Sequence, residues 1–106
     1  MPNTTINIDV VGGAIVCDAK GGNVRGHVGD RVTWHSAHYN FSLRFALLTG
    51  EGKQNWPFQG PPAPPSEVKD FPGVLALADP NDPPAYKYTV IIDGYLPLDP
   101  IIIVDR

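Results

Sequence analysis

The sequence predicts an all-β protein: a two-sheet Greek-key β-sandwich of about seven short strands, crossed by one long proline-rich loop. Three observations carry this. Apolar residues recur at every second position in Thr4 to Val11, in Phe41 to Leu48 and in Tyr86 to Ile92, the period of a pleated strand with one buried face. The 106 residues include 11 Gly and 12 Pro, punctuation that suits many short strands joined by turns better than a few long helices. Nowhere does a helical period persist beyond a single turn. The chain, 1–106, has the length of one domain with a single core.

In order, Thr4 to Val11 places Ile6, Ile8 and Val10 on one face and Thr5, Asn7 and Asp9 on the other. Gly12-Gly13 breaks the strand, and Ala14 to Asp18 resumes as a second one. Lys20-Gly21-Gly22-Asn23 reads as a turn. Gly29-Asp30 leads into Arg31 to His35, where Val32 and Trp34 point inward. After a kink at Ser36 to Asn40, the next strand turns Phe41, Leu43, Phe45 and Leu47 to the core and Ser42, Arg44 and Ala46 away. From Thr49 to Pro72 neither period survives, because Gly50, Gly52, Pro57, Gly60, Pro61, Pro62, Pro64 and Pro65 exclude regular structure. A loop this long in a compact domain is functional or disordered as a rule, and Trp56, Phe58 and Phe71 are the anchors expected to pin it down. Val74 to Ala78 is expected as a short strand, and Asp79 to Pro84 as a turn cluster.

The last stretch, Ala85 to Arg106, is expected as a β-hairpin. Tyr86, Tyr88, Val90 and Ile92 share one face, Asp93-Gly94 permits a reversal, and Ile101-Ile102-Ile103-Val104 follows. Four consecutive large apolar residues need cover on both faces. A strand late in the chain is also a natural edge, and little here protects one. A homodimer through this hairpin is therefore the expected assembly.

Net charge is −3 and the charges are scattered, so there is no electrostatic footprint for nucleic acid or an anionic membrane. No segment approaches the roughly 20 apolar residues of a membrane span. The single cysteine, Cys17, has no internal partner, so nothing demands an oxidising compartment. MPNTTINIDVV has neither the positive start nor the apolar core of a signal peptide. The expectation is a cytoplasmic protein, periplasmic or secreted only if a leader was removed.

Gly29-Asp30-Arg31-Val32-Thr33-Trp34, a kink, then Asn40-Phe41-Ser42-Leu43-Arg44-Phe45 resembles the central hairpin of cupredoxins. In that family a Gly-Asp turn opens a strand ending in an aromatic residue, and a loop carrying the first copper histidine precedes the next strand. Tyr86 to Val90 and Pro100 to Val104 are similar to its last two strands. The resemblance covers the larger part of the chain and implies the cupredoxin-like sandwich. Copper chemistry is not implied with it. A type 1 site needs a thiolate, two imidazoles and a weak axial ligand. The family takes Cys, His and Met from the loop between its last two strands, which here is Asp93-Gly94-Tyr95-Leu96-Pro97-Leu98-Asp99. The only methionine is Met1, Cys17 lies on an early strand, and His38 or Asn40 stands where the first histidine would be. No cofactor is expected.

Tyr39, Trp56, Phe58 and Tyr95 are the candidate ligand-binding residues, because loop aromatics can stack on a sugar, a peptide or a small molecule. Their alternative duty is to fasten loops to the sandwich; Trp34, facing inward, belongs to the core. His27, His35 and His38 are candidates for a zinc or copper(II) site or a small hydrolytic centre, if the fold gathers them on one rim. Asp79, Asn81 and Asp82 offer oxygen donors for calcium, though such residues also form ordinary turns. Gly60 to Pro65 can adopt polyproline II, as a recognition motif or as a stiff spacer. Ser36 adjoins His35 but lacks a Gly-x-Ser-x-Gly elbow, and Cys17 is expected to be inert. The expected function is a non-enzymatic binding or assembly module, cupredoxin-like without copper, for a protein or small-molecule ligand. A metal-binding or hydrolytic histidine rim and a carbohydrate-binding module are the alternatives.

Overall fold

The alternation along the strands sorts their residues between two facing sheets. The structure, a computed structural model, describes residues 3–49, 55–60, 66–76 and 84–105. Its strands are β1 (Asn3–Val11), β2 (Ala14–Cys17), β3 (Val24–His27), β4 (Arg31–His35), β5 (Ser42–Thr49), β6 (Asp70–Val74), β7 (Ala85–Ile91) and β8 (Ile101–Asp105), with one helical turn, α1 (Asp18–Gly21). They form two four-stranded sheets, β2-β1-β4-β6 and β3-β8-β7-β5. The chain is an all-β sandwich. β1 runs parallel to β4 and β3 parallel to β8, while the other pairs are antiparallel.

The core lies between the sheets. Ile6, Ile8, Val32 and Trp34 come from the first sheet; Leu43, Tyr86, Tyr88, Val90, Ile102 and Val104 come from the second. Each such side chain contributes about 1.5–3 kcal/mol by leaving water, which is why one register satisfies every strand at once. Trp34 is the hub. Its ring centroid lies 5.3 Å from Tyr88, 5.7 Å from Phe58, 6.0 Å from Phe71 and 6.1 Å from Phe45, all edge-to-face.

The described parts of the long loop, residues 55–60 and 66–72, pack against the sandwich. Phe58 bridges Leu75, and Phe41 exchanges both backbone hydrogen bonds with Val68 at 2.8 Å. Trp56 and Phe58 drop into the aromatic core, and Phe58 lies so close to Gly73 that any Cβ there would enter its ring. The strand expected at Val74 to Ala78 is displaced: β6 runs from Asp70 to Val74 through Pro72, sharing only Val74 with the expectation, and Leu77 and Ala78 lie outside the described residues. A proline is tolerated there because β6 is the last strand of its sheet. Asp79, Asn81, Asp82 and Pro61 to Pro65 lie outside the described residues.

Two further expectations change. Val24 to His27, which the sequence pattern assigns to no element, is a strand, and the described residues hold eight strands. β8 is not an edge. It lies between β3 and β7, with Ile102 and Val104 in the core and Ile103 half-buried, and only Ile101, 40% exposed, opens to the outside. The premise for association through the C-terminal hairpin thus weakens, and the open edge lies elsewhere.

Candidate functional site

Three connections meet at one end of the sandwich. β1 and β4 run in the same direction, so the Gly12-Gly13 turn and residues 36–41 leave the first sheet together. Ser42 pairs with Ile91, so the connection after β7 opens at that end as well. The glycine turn needs its residues: φ is +61° at Gly12 and +80° at Gly13, the left-handed region a two-residue hairpin loop requires.

On this end Tyr39 and Tyr95 meet edge to face, with centroids 6.1 Å apart and planes at 83°. Each is held by its own loop. The Tyr39 amide donates to Ser36 Oγ at 3.1 Å, and the Ser36 amide donates to the Lys69 carbonyl at 2.9 Å. The Tyr95 amide donates to the Ile92 carbonyl at 3.1 Å, closing the turn that contains Gly94. The Tyr39 phenol is pushed above its ordinary range, first by the neighbouring Tyr95, then by partial burial and by the charge of Asp9. Both rings are half-buried. Beside them Leu96 is 86% exposed and Val11 62% exposed, so the end presents apolar groups with two phenols between them.

The four aromatic candidates therefore divide. Tyr39 and Tyr95 come together at the surface. Phe58 is buried in the core and Trp56 is half-buried against it, 5.1 and 5.4 Å from Phe45, and both join the ring cluster around Trp34.

His27 does not share a rim with His35 and His38, which stand at the end of β4 and in the connection after it. His27 sits at the β3–β4 turn, its Nδ1 3.9 Å from Asp30 Oδ2. His35 is at the far end of β4, roughly 13 Å of strand away. Among the described residues no three His, Cys, Asp or Glu side chains gather as a metal-binding group. His35 Nδ1 instead lies 2.5 Å from Asp70 Oδ1, a cross-strand pair that holds the ring against β6. Ser36 is 1% exposed with its Oγ engaged by Tyr39, and burial, with the Asp18 charge second, pushes the Cys17 thiol up to about 11. Both groups are poorly suited to covalent catalysis.

Sequence reasoning missed the His35–Asp70 pair and the exposed Val11 and Leu96. The first joins residues 35 positions apart and needs the β4–β6 register to be seen. Leu96 did carry a signal, a leucine within the turn-forming run Asp93 to Pro97. Comparison with protein-family models and with curated proteins finds no match for the chain. Among the described residues no helix is long and apolar enough to cross a membrane.

Proposed function

We propose that this protein is a non-enzymatic recognition module, a cupredoxin-like sandwich without a type 1 copper site, that binds its ligand at the end bearing Tyr39 and Tyr95. One observation carries the reading: these two half-buried rings pair with each other and with none of the rings around Trp34, and they are set on two loops with the exposed Leu96 next to Tyr95. Two amphipathic rings held at right angles offer apolar area with hydroxyl groups at little entropic cost. That chemistry suits a protein loop or a small molecule with an apolar face and hydrogen-bonding groups.

Two features support the cupredoxin likeness. The turn at Gly29-Asp30 opens β4, whose inward aromatic, Trp34, is the hub of the core. The strands resembling the family's last two, β7 and β8, pair antiparallel inside one sheet. The connection between them holds no thiolate, imidazole or thioether, so recognition takes the place of electron transfer in this reading.

The test is binding to immobilised peptide and oligosaccharide panels by the parent protein and by Tyr39→Ala and Tyr95→Ala. Each truncation is expected to weaken retention about tenfold, the effect of losing one ring of a small aromatic contact. Binding that survives both truncations, or a parent protein that retains no member of either panel, contradicts the proposal.

A further inference from the structure

Among the described residues the two sheets have four strand edges, and three of them are guarded. On β5, Phe41 is tied to Val68 on both backbone groups, the Leu47 amide donates to Asn55 Oδ1 at 2.9 Å, and Arg44 stands between. On β6, Pro72 removes a donor, and the Gln59 amide donates to the Val74 carbonyl at 2.8 Å. On β3, the charged Arg25 stands exposed on the strand, and the His27 amide is capped by Asp30 Oδ2 at 2.9 Å. Charge, proline and capping are the usual protections against edge pairing.

β2 has none of these. Ala14-Ile15-Val16-Cys17 carries no charge, no proline and no bulge, and no strand lies beyond it among the described residues. The tight Gly12-Gly13 turn makes Val11 and Ala14 the closing hydrogen-bonded pair. Alternation along the ladder then turns the backbone groups of Ile15 and Cys17 away from β1, toward the open side. On the outer face Val16 is 38% exposed.

We infer that β2 pairs antiparallel with β2 of a second copy of this chain. The edge selects that occupant because it is complementary to itself. Setting Ile15 against Cys17 of the second copy aligns the outward backbone groups and places the two Val16 side chains face to face on the twofold axis. No like charges meet, and a β-branched pair is buried. Two four-stranded sheets become one of eight. The interface is isologous and uses the one edge of each copy left unguarded among the described residues, so assembly stops at the dimer. Because the contact is one short strand pair, association belongs in the micromolar range and not below it. This inference is independent of the ligand-binding end.

Sedimentation equilibrium on the full chain across the micromolar range tests it, with Val16→Lys, Val16→Glu and Ile101→Lys as variants. The parent protein and Ile101→Lys are expected to approach the mass of two chains. Val16→Lys and Val16→Glu, each meeting its own charge on the axis, are expected to associate about a hundredfold more weakly. An equimolar mixture of the two should recover the dimer, which also shows that both variants fold. A parent protein of single-chain mass throughout overturns the inference. So does dissociation by Ile101→Lys without dissociation by Val16→Lys, or a mixture that stays monomeric.

Discussion

Replacing Phe45 by Ala is the sharpest probe of how the two sheets meet. The Phe45 centroid lies 5.1 Å from Phe58, 5.4 Å from Trp56, 6.0 Å from Phe71 and 6.1 Å from both Trp34 and Tyr88. The ring joins β5 to the long loop and to both sheets. Truncating a core phenylalanine costs about 3–5 kcal/mol, combining lost transfer free energy with the cavity left behind. Phe45 is partly and not fully buried, which places the expected loss near the lower end, about 3–4 kcal/mol. Against a typical total of about 5–15 kcal/mol this is large, and the midpoint of thermal unfolding should fall by roughly 12 °C or more. Arg44→Ala is the matched control: Arg44 is the next residue, points outward, and should cost no more than about 0.5 kcal/mol. Urea unfolding followed by tryptophan fluorescence reads both changes. A loss below about 1 kcal/mol for Phe45→Ala, or a larger loss for Arg44→Ala, would show that the faces of β5 are inverted.

Four further outcomes follow from the chemistry of individual groups. With its pKa raised from 9.0 to about 11, Cys17 should be alkylated by iodoacetamide near neutral pH roughly a hundredfold more slowly than a free thiol, and alkylation at the free-thiol rate would place the side chain at the surface. The same shift links stability to alkali: the unfolded thiol ionises first, so the contribution is intact below pH 9.0 and declines as pH rises toward about 11; Tyr88, raised mainly by burial, acts in the same direction. Urea midpoints that stay level over that window would contradict this. Added copper(II) should give no intense thiolate charge-transfer band, because Cys17 is on β2 and the β7–β8 connection has no soft ligand; a blue protein would refute the proposed loss of the site. Finally, Tyr95 is the first cause of the raised Tyr39 phenol, so Tyr95→Leu should bring Tyr39 back down toward an ordinary tyrosine in a phenolate absorbance titration, and an unchanged curve would separate the two rings.

Strands with strict alternation are legible from the amino-acid sequence alone, because a period of two has one explanation once a face must be buried. Ile6 and Ile8, Val32 and Trp34, and Tyr86, Tyr88 and Val90 all lie inward as the pattern requires. β3 escaped because Gly26 occupies its second inward position, against Leu75, leaving Val24 as the only apolar signal. β6 escaped because Pro72 and Gly73 read as breakers; the edge position tolerates the first, and the Phe58 ring fills the space beside the second. Among the site residues, Tyr39 and Tyr95 could be singled out as loop aromatics, but not as partners: their adjacency depends on β5 pairing with β7. A place late in the chain suggests an edge for β8, but sequence position cannot show that the strand is inserted between β3 and β7.

The most direct measurement of the recognition proposal is amide NMR of the parent protein titrated with phenol, indole and glucose as small probes. The expected result is saturable shifts confined to Tyr39, Tyr95, Leu96 and Val11, abolished for the same probe in Tyr95→Ala. Shifts centred on His35 and Asp70, or at the opposite end around Val28, or no saturable shift with any probe, would contradict it.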